Sequence, residues 1–263
     1  MSERVELAVA DGVAEVRLNR PEKLNALDFP LFDLLVEAGQ TLASMQGLRA
    51  IVLSGNGRSF SVGIDLDALA SGGQTALSDL VARTHGDANL FQRVALQWRD
   101  LPVPVIAAIQ GHALGGGMQL ALGADIRIVA SDAKLSIREI AWGLIPDMAG
   151  TVLLRKLVRP DVMRDLLFSG RIVTGEEALE LGLATRLAAE PLGAARELAR
   201  EIAAASPDAV RAAKRLTNAG ADGSSDRDML LAEAAEQQAL LASFNHREAL
   251  RAHTEKRTPD YRN

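Results

Sequence analysis

Two acidic side chains and two glycine-bearing turns hold the chemistry that this chain could perform. Glu139 lies in IREIAWG among apolar neighbours, and Asp147 follows eight positions later in IPDMAGT. A carboxylate surrounded by apolar side chains titrates above its solvated value, which suits a general base working near neutral pH. A second carboxylate close by pushes one of the pair up further. The turns are Phe60 to Asp65, after a buried strand, and Gly111 to Gly117, which ends in three consecutive glycines. Glycines at a helix entrance allow close approach and leave unpaired N–H groups facing outward, where negative charge is favoured. N–H groups converging from two such turns would form an oxyanion hole, each donor contributing about 3–4 kcal/mol as charge develops on a carbonyl oxygen.

Other glycine-rich sites fit less well. The dinucleotide fingerprint needs a glycine where Leu120 stands, and a phosphate loop needs a lysine where Gly117 stands. Structural uses compete for the same residues: a Glu139 paired with Arg138, an Asp147 that caps the next helix, glycine turns required only for packing. His112 reads as a structural hydrogen-bonding residue, and Trp98 and Trp142 read as packing residues. No GxSxG elbow offers a serine nucleophile.

Composition narrows the classes. At 263 residues and 48% hydrophobic, the chain can bury one large domain or one domain with a small appendage. A net charge of −5 gives no footprint for nucleic acid or an anionic membrane. The absence of cysteine removes thiol catalysis and disulfides. The four histidines, at 85, 112, 246 and 253, show no ligand spacing, so no metal is expected. No apolar run has membrane-spanning length, and the Met1 start lacks a basic-then-apolar leader; a cytoplasmic location is the expectation.

The elements that must position the site are legible in outline. Val5 to Ala10 and Val13 to Leu18 alternate around Asp11-Gly12, a hairpin pattern. Asp28 caps a helix that places Leu31, Leu34, Leu35, Ala38 and Leu42 on one face. Ala50 to Ser54, Val103 to Ile109 and Ile126 to Ala130 read as buried strands. Ser71 to Thr75 reads as a loop, followed by one long helix from about Asp79 to Leu101, with Met118 to Ala124 as a further helix. From Ala149 onward the pattern is almost wholly helical: Thr174 opens a short helix closed by Gly182, Ser206-Pro207 opens another, and Asp226 to Phe244 forms a longer one. This rhythm predicts an α/β fold with a largely parallel sheet and right-handed connections. Residues 1–195 are expected to form the core and 196–263 a helical region that packs on it or on a neighbouring subunit.

NRPEKLNALD, GNGRSFSVGIDL, PVPVIAAIQGHALGGGMQLALGADIRI and REIAWGLIPDMAGT occur in that order. Through these four segments the chain resembles the crotonase superfamily, the enoyl-CoA hydratases and isomerases, along nearly its full length. The resemblance implies a spiral of ββα turns with a C-terminal helical trimerisation region. It also implies a homotrimer or a homohexamer built as a dimer of trimers, and an acyl-CoA substrate that brings its own coenzyme A, with no separate cofactor. It places the oxyanion-hole amides on Val62 and Gly116. Binding of CoA and the thioester falls on Lys23, Ala26, Val62, Gly63, Ile64, Asp65, Leu66, Gly115 and Gly116.

The catalytic positions divide the family. Hydratases carry glutamate at the position of Gln119 and again twenty residues on, where this chain has Glu139. Gln119 can hydrogen-bond a water or a substrate but does not exchange protons as a carboxylate does. Monofunctional enoyl-CoA isomerases use the second glutamate alone. Dienoyl-CoA isomerases add an aspartate eight residues beyond it, matched by Asp147, but have aspartate where Gln119 stands. Double-bond isomerisation of an enoyl- or dienoyl-CoA is therefore the expected reaction, with Glu139, Asp147 and Gln119 as the catalytic set. Hydration with a single glutamate, hydrolysis of a thioester or carbon–carbon bond, and non-catalytic acyl-CoA binding are the alternatives.

Overall fold

The structure, a computed structural model, describes residues 4–263. Strands β1 (Val5–Ala10) and β2 (Val13–Leu18) form the expected antiparallel hairpin. Its turn places Asp11 and Gly12 at φ 51° and 77°, a left-handed pair that the Asp-Gly sequence tolerates. Helix α1 (Phe29–Ser44) starts where the Asp28 carboxylate accepts the Leu31 N–H at 3.1 Å. Strand β3 (Ala50–Gly55) returns to the sheet.

The next stretch departs from expectation. Helix α2 (Leu66–Ala76) runs through the segment read as a Ser/Gly loop, and α3 (Leu90–Asp100) is only the last part of the long helix expected from Asp79. The break has a local cause. Asn89 and Gln92 form a reciprocal capping box, the Asn89 side chain taking the Gln92 N–H and the Gln92 side chain taking the Asn89 N–H. A new helix therefore begins at Leu90.

Strands β4 (Val105–Ile109) and β5 (His112–Leu114) lead into α4 (Gly116–Leu122), then β6 (Ile126–Val129) and β7 (Lys134–Ser136). Helices α5 (Gly150–Leu154) and α6 (Pro160–Ser169) follow, then β8 (Val173–Thr174), α7 (Gly175–Leu181) and β9 (Arg186–Leu187). These last two short strands are the exceptions within the almost wholly helical stretch expected from Ala149 onward. Helices α8 (Pro191–Ala203), α9 (Pro207–Ala221), α10 (Asp226–Leu241) and α11 (Phe244–Glu255) complete the chain.

The larger sheet has the order β1-β2-β3-β4-β6-β9 and is parallel from β2 onward; the smaller has the order β5-β7-β8. Successive turns of the chain thus give one strand to each sheet, the spiral that the resemblance implies. Both faces of the large sheet are covered, which is why β3 and β4 are buried throughout and read as continuous apolar runs. Ile51, Leu53, Val105 and Ala107 join the core under α1 and α3. Ala50, Val52, Ile106 and Ala108 instead meet Ala195, Leu198 and Ala199 of α8. The division expected at 195/196 therefore falls inside a helix that is itself part of the core, and the core extends through α8.

The smaller sheet positions the site. Leu114 of β5 pairs with Ser136 of β7 in parallel, and Ala113 also bridges in parallel to Ser61. Three adjacent segments therefore end side by side at their carboxyl ends, releasing Val62 to Ile64, Gly115 to Gly116, and Arg138 to Glu139. Crevices outside the carboxyl ends of parallel strands are where α/β folds bind ligands.

Candidate active site

Two adjoining cavities open where these ends meet. The outer one, about 400 Å³, is lined by Val62, Gly63, Ile64, Leu66, Gly115, Gly116, Arg138, Glu139 and Trp142, among others. The inner one, about 300 Å³, is lined by Gln119, Glu139 and Asp147 together with apolar side chains that include Phe32, Leu80, Phe91 and Met148. Ile64, Leu69, Gly116, Glu139 and Leu144 belong to both walls, so Glu139 stands at the junction.

The two glycine-bearing loops touch. Gly63 has φ +88°, and a Cβ there would lie 2.5 Å from the Leu114 carbonyl and 3.2 Å from the Gly116 nitrogen. Gly115, at φ +51°, faces Glu139 so closely that a Cβ would sit 3.2 Å from Oε1. Backbone angle favours glycine at both positions, and at Gly63 the close approach of the Leu114 carbonyl demands it as well.

The hydrogen bonds of these loops correct one expectation. The Val62 N–H donates to the Leu24 carbonyl at 3.1 Å, so that amide is already engaged. Gly63 N–H donates to Ser61 Oγ, and Asp65 N–H to the Leu27 carbonyl. Among the described residues no partner takes the N–H of Ile64 or of Gly116, and both residues line both cavities. The unengaged amide of the first loop is thus Ile64, two positions beyond the residue expected.

Glu139 opens a 3₁₀ turn, Glu139–Trp142, directly after β7. Its Oε1 accepts Gln119 Nε2 at 2.6 Å, while its buried Oε2 has no partner among the described residues. Among the described residues it forms no ion pair with Arg138 or a lysine. Burial pushes the Glu139 carboxyl above the ordinary carboxylate range, opposed by hydrogen bonds from its own backbone and from Gln119, and reinforced by the charge of Asp147. Asp147 is exposed by area, yet desolvation at the cavity wall pushes its carboxyl up as well, opposed by a hydrogen bond from its own backbone.

Gln119 is fully buried and held at both ends. Its Oε1 accepts the Met148 and Gly150 N–H groups at 2.9 and 3.1 Å, which fixes Nε2 toward Glu139. Ala149, at φ 61°, is the left-handed residue that lets those two N–H groups converge on one oxygen. Gln119 is thereby a clamp on Glu139, with its oxygen unavailable to a water or substrate.

Three of the expected binding residues lie outside both cavity walls. Lys23 reaches Asp67 at 3.3 Å on the exposed surface. The Ala26 carbonyl accepts Arg20 Nη1 at 2.6 Å. Asp65 caps α2 through the Asp67 and Ala68 N–H groups and pairs with Arg20 at 3.0 Å. Burial pushes its carboxyl up, but those N–H groups and the guanidinium outweigh it and hold Asp65 low.

His112 is structural, as expected, its Nδ1 lying 3.0 Å from Ser59 Oγ. Trp98 is core, but Trp142 is 58% exposed and lines the outer cavity, where a packing role was expected. Sequence reasoning also missed Asn25, whose Nδ2 donates to the Asn56 and Ser59 carbonyls and pins the first loop from beneath. The positive φ of Leu24 and Asn25, which makes that reach possible, leaves no mark in residue type beyond the asparagine itself. Among the described residues no group of three or more acidic, histidine or cysteine side chains could hold a metal, and no helix is long and apolar enough to cross a membrane.

Solved structures share this architecture. An enoyl-CoA hydratase from Bacillus anthracis superposes with a TM-score of 0.89 at 30% identity, covering 98% of both chains. A putative enoyl-CoA hydratase from Streptomyces coelicolor A3(2) also gives 0.89, at 33% identity over 98% of this chain and 94% of that one. In sequence, the carnitinyl-CoA dehydratase of Salmonella arizonae is 34% identical over 100% of this chain and 99% of its own length. YngF of Bacillus subtilis, a putative enoyl-CoA hydratase/isomerase, is 34% identical over 95% of this chain and 94% of its own. Residues 8–263 match the enoyl-CoA hydratase/isomerase family, and with these relatives and this fold the chain belongs to that family.

Proposed function

We propose that the site forms the enolate of an acyl-CoA thioester and uses it to move a carbon–carbon double bond. The carrying observation is Glu139: one carboxylate oxygen clamped by Gln119, the other buried and unpartnered, beside two unengaged N–H groups. The thioester oxygen would sit against the Ile64 and Gly116 amides. Glu139 Oε2 takes a proton from C2 of a 3-enoyl thioester, and the electron pair moves onto the carbonyl oxygen as a dienolate. Return of that proton to C4 leaves the double bond between C2 and C3, with no net change in atoms. The amides stabilise charge only while it develops, which is where such donors are most effective. Gln119 being an amide leaves one proton-exchanging group at this position, and isomerisation needs only one. Lys23 and the Gly63 to Leu66 segment would meet the coenzyme.

At roughly 30 Å³ per water-sized group, the inner cavity of about 300 Å³ suits a medium-length apolar tail. The C-terminal helices supply a candidate subunit contact. No residue of α10 is buried, and Leu230, Leu231 and Leu241 stand exposed along it, so assembly as trimers is expected in sedimentation.

Addition or elimination of water is the second reading, favoured by Asp147 on the wall of the same cavity and by the hydratase and dehydratase names of the relatives. There Asp147 would hold the water that Glu139 protonates or deprotonates. Incubation with matched 2-enoyl- and 3-enoyl-CoA thioesters in heavy water separates the two. Conversion of the 3-enoyl to the 2-enoyl isomer without water uptake supports isomerisation, a product heavier by one water supports hydration, and recovery of both thioesters unchanged sinks both.

A further inference from the structure

Besides Glu139, the polar side chains of the outer cavity are those of Arg138 and Trp142, and the proposed reaction gives neither a role. They flank Glu139 at the two ends of one 3₁₀ turn. Among the described residues the Arg138 guanidinium has no ion pair or hydrogen bond, and neither does the Trp142 indole. Trp142 is 58% exposed, and Leu66 and Leu144 beside it are also exposed. A concave wall with this much uncovered apolar surface, and with unpaired donors at its rim, is a ligand surface.

The two cavities differ in the ligand they suit. The inner wall draws on core residues Phe32 and Phe91 and offers no cation. The outer wall offers guanidinium and indole N–H donors next to apolar faces. A substrate whose reacting carbonyl lies at the shared residues Gly116 and Glu139 must extend in both directions. Its tail gains most from the inner cavity. The segment beyond the sulfur carries two secondary amides, whose carbonyls need donors and whose methylenes need apolar cover. Resting on the acyl-CoA reading, we propose that Arg138 and Trp142 grip the pantetheine arm of the coenzyme, Trp142 covering its methylenes and Arg138 donating to its amide carbonyls.

Trp142 also supplies the test, because the only other tryptophan, Trp98, is sealed in the core at 0% exposure. Tryptophan emission and calorimetry are followed together while CoA or octanoyl-CoA is added to the full-length protein. Both ligands are expected to shift the emission of the native chain, by the same amount, and neither that of W142F. W142A should raise the Kd for CoA about tenfold, with the larger share of the kinetic loss falling on KM rather than kcat. R138A should weaken CoA severalfold and R138K should fail to restore it, since a lysine lacks the planar fork. Calorimetric binding of octanoyl-CoA with unchanged Trp142 emission and an unchanged Kd in W142A would overturn the proposal and leave the acyl-CoA reading standing. A shift with octanoyl-CoA but none with CoA would seat the acyl tail there and also overturn it. Emission that follows protein concentration and ignores CoA would seat a second copy of the chain there, again overturning it. No calorimetric binding of octanoyl-CoA to the native protein would remove the acyl-CoA reading itself, and this proposal with it.

Discussion

Asp125 and Glu139 are both carboxylates drawn out of water, and the chain completes one while leaving the other open. Asp125 Oδ2 accepts Lys214 Nζ and the Val105 N–H, each at 2.7 Å. The same ammonium donates to the Trp98 and Val103 carbonyls, so its three protons are all used. Burial pushes Asp125 up and Lys214 down, and their contact opposes both shifts. Glu139 has a neutral amide on one oxygen and, among the described residues, nothing on the other. The first arrangement ties α9 to the starts of β4 and β6 and to the end of α3; the second keeps a proton acceptor ready. A satisfied buried charge resists change, whereas an unsatisfied one is held in place only by its surroundings.

The contrast breaks first at Glu139 itself. E139Q should lower kcat by roughly 10²–10⁴ with the fold intact by circular dichroism; a variant retaining native turnover would take Glu139 out of the mechanism. At the other acid the loss should appear in stability instead. K214A strands Asp125 and should cost about 3 kcal/mol in denaturant unfolding, whereas the paired change D125N/K214M should cost less than the single one. Equal losses would mean that the stranded Asp125 carboxylate is not what the single change costs.

Gln119 sharpens the comparison from the opposite side. Q119L leaves the Met148 and Gly150 N–H groups unpaired and frees Glu139, so it should lower stability by about 1–3 kcal/mol and kcat with it. Q119E keeps an acceptor for both N–H groups and should retain more stability than Q119L. The pH profile follows from burial. Because the Glu139 pKa is raised, kcat/KM should fall with decreasing pH on a limb centred above the ordinary value of 4.5. A limb at or below that value would show the group to be solvated.

The smallest effect is on stability. An acid whose folded pKa is raised binds its proton more tightly when folded. Ionised Glu139 therefore detracts from stability above that pKa, and the penalty is relieved as pH falls through it. E139Q should accordingly raise the melting temperature slightly near neutral pH, by a gain below about 1 kcal/mol. A lower melting temperature would mean that the Gln119 hydrogen bond to the carboxylate outweighs its desolvation.

What the sequence reveals follows the range of the interactions involved. The Asp11-Gly12 turn, the Asp28 cap and the Thr174 to Gly182 helix depend on neighbours within four residues, and all three form as read. The long helix expected from Asp79 fails because the Asn89–Gln92 capping box restarts the chain at Leu90, a local signal outweighed in the reading by the apolar periodicity around it. Glu139, Asp147 and Gly116 are brought to one crevice as expected. The choice between Val62 and Ile64 was not legible, because it turns on the Leu24 carbonyl, about forty residues away in the chain and presented by a left-handed residue. Trp142 misled for a related reason: nothing in its neighbours distinguishes an indole facing a cavity from one facing the core.

The side-by-side ends of Ser61, β5 and β7 also bear on how the protein gains its activity. Each belongs to a different winding of the chain, so no single winding contains both an unengaged amide and the acid. A chain that has closed two of them can already show most of its helix and strand content and still be catalytically silent. Turnover should therefore be the last native signal to return during refolding, and the first to vanish when the short sheet loosens.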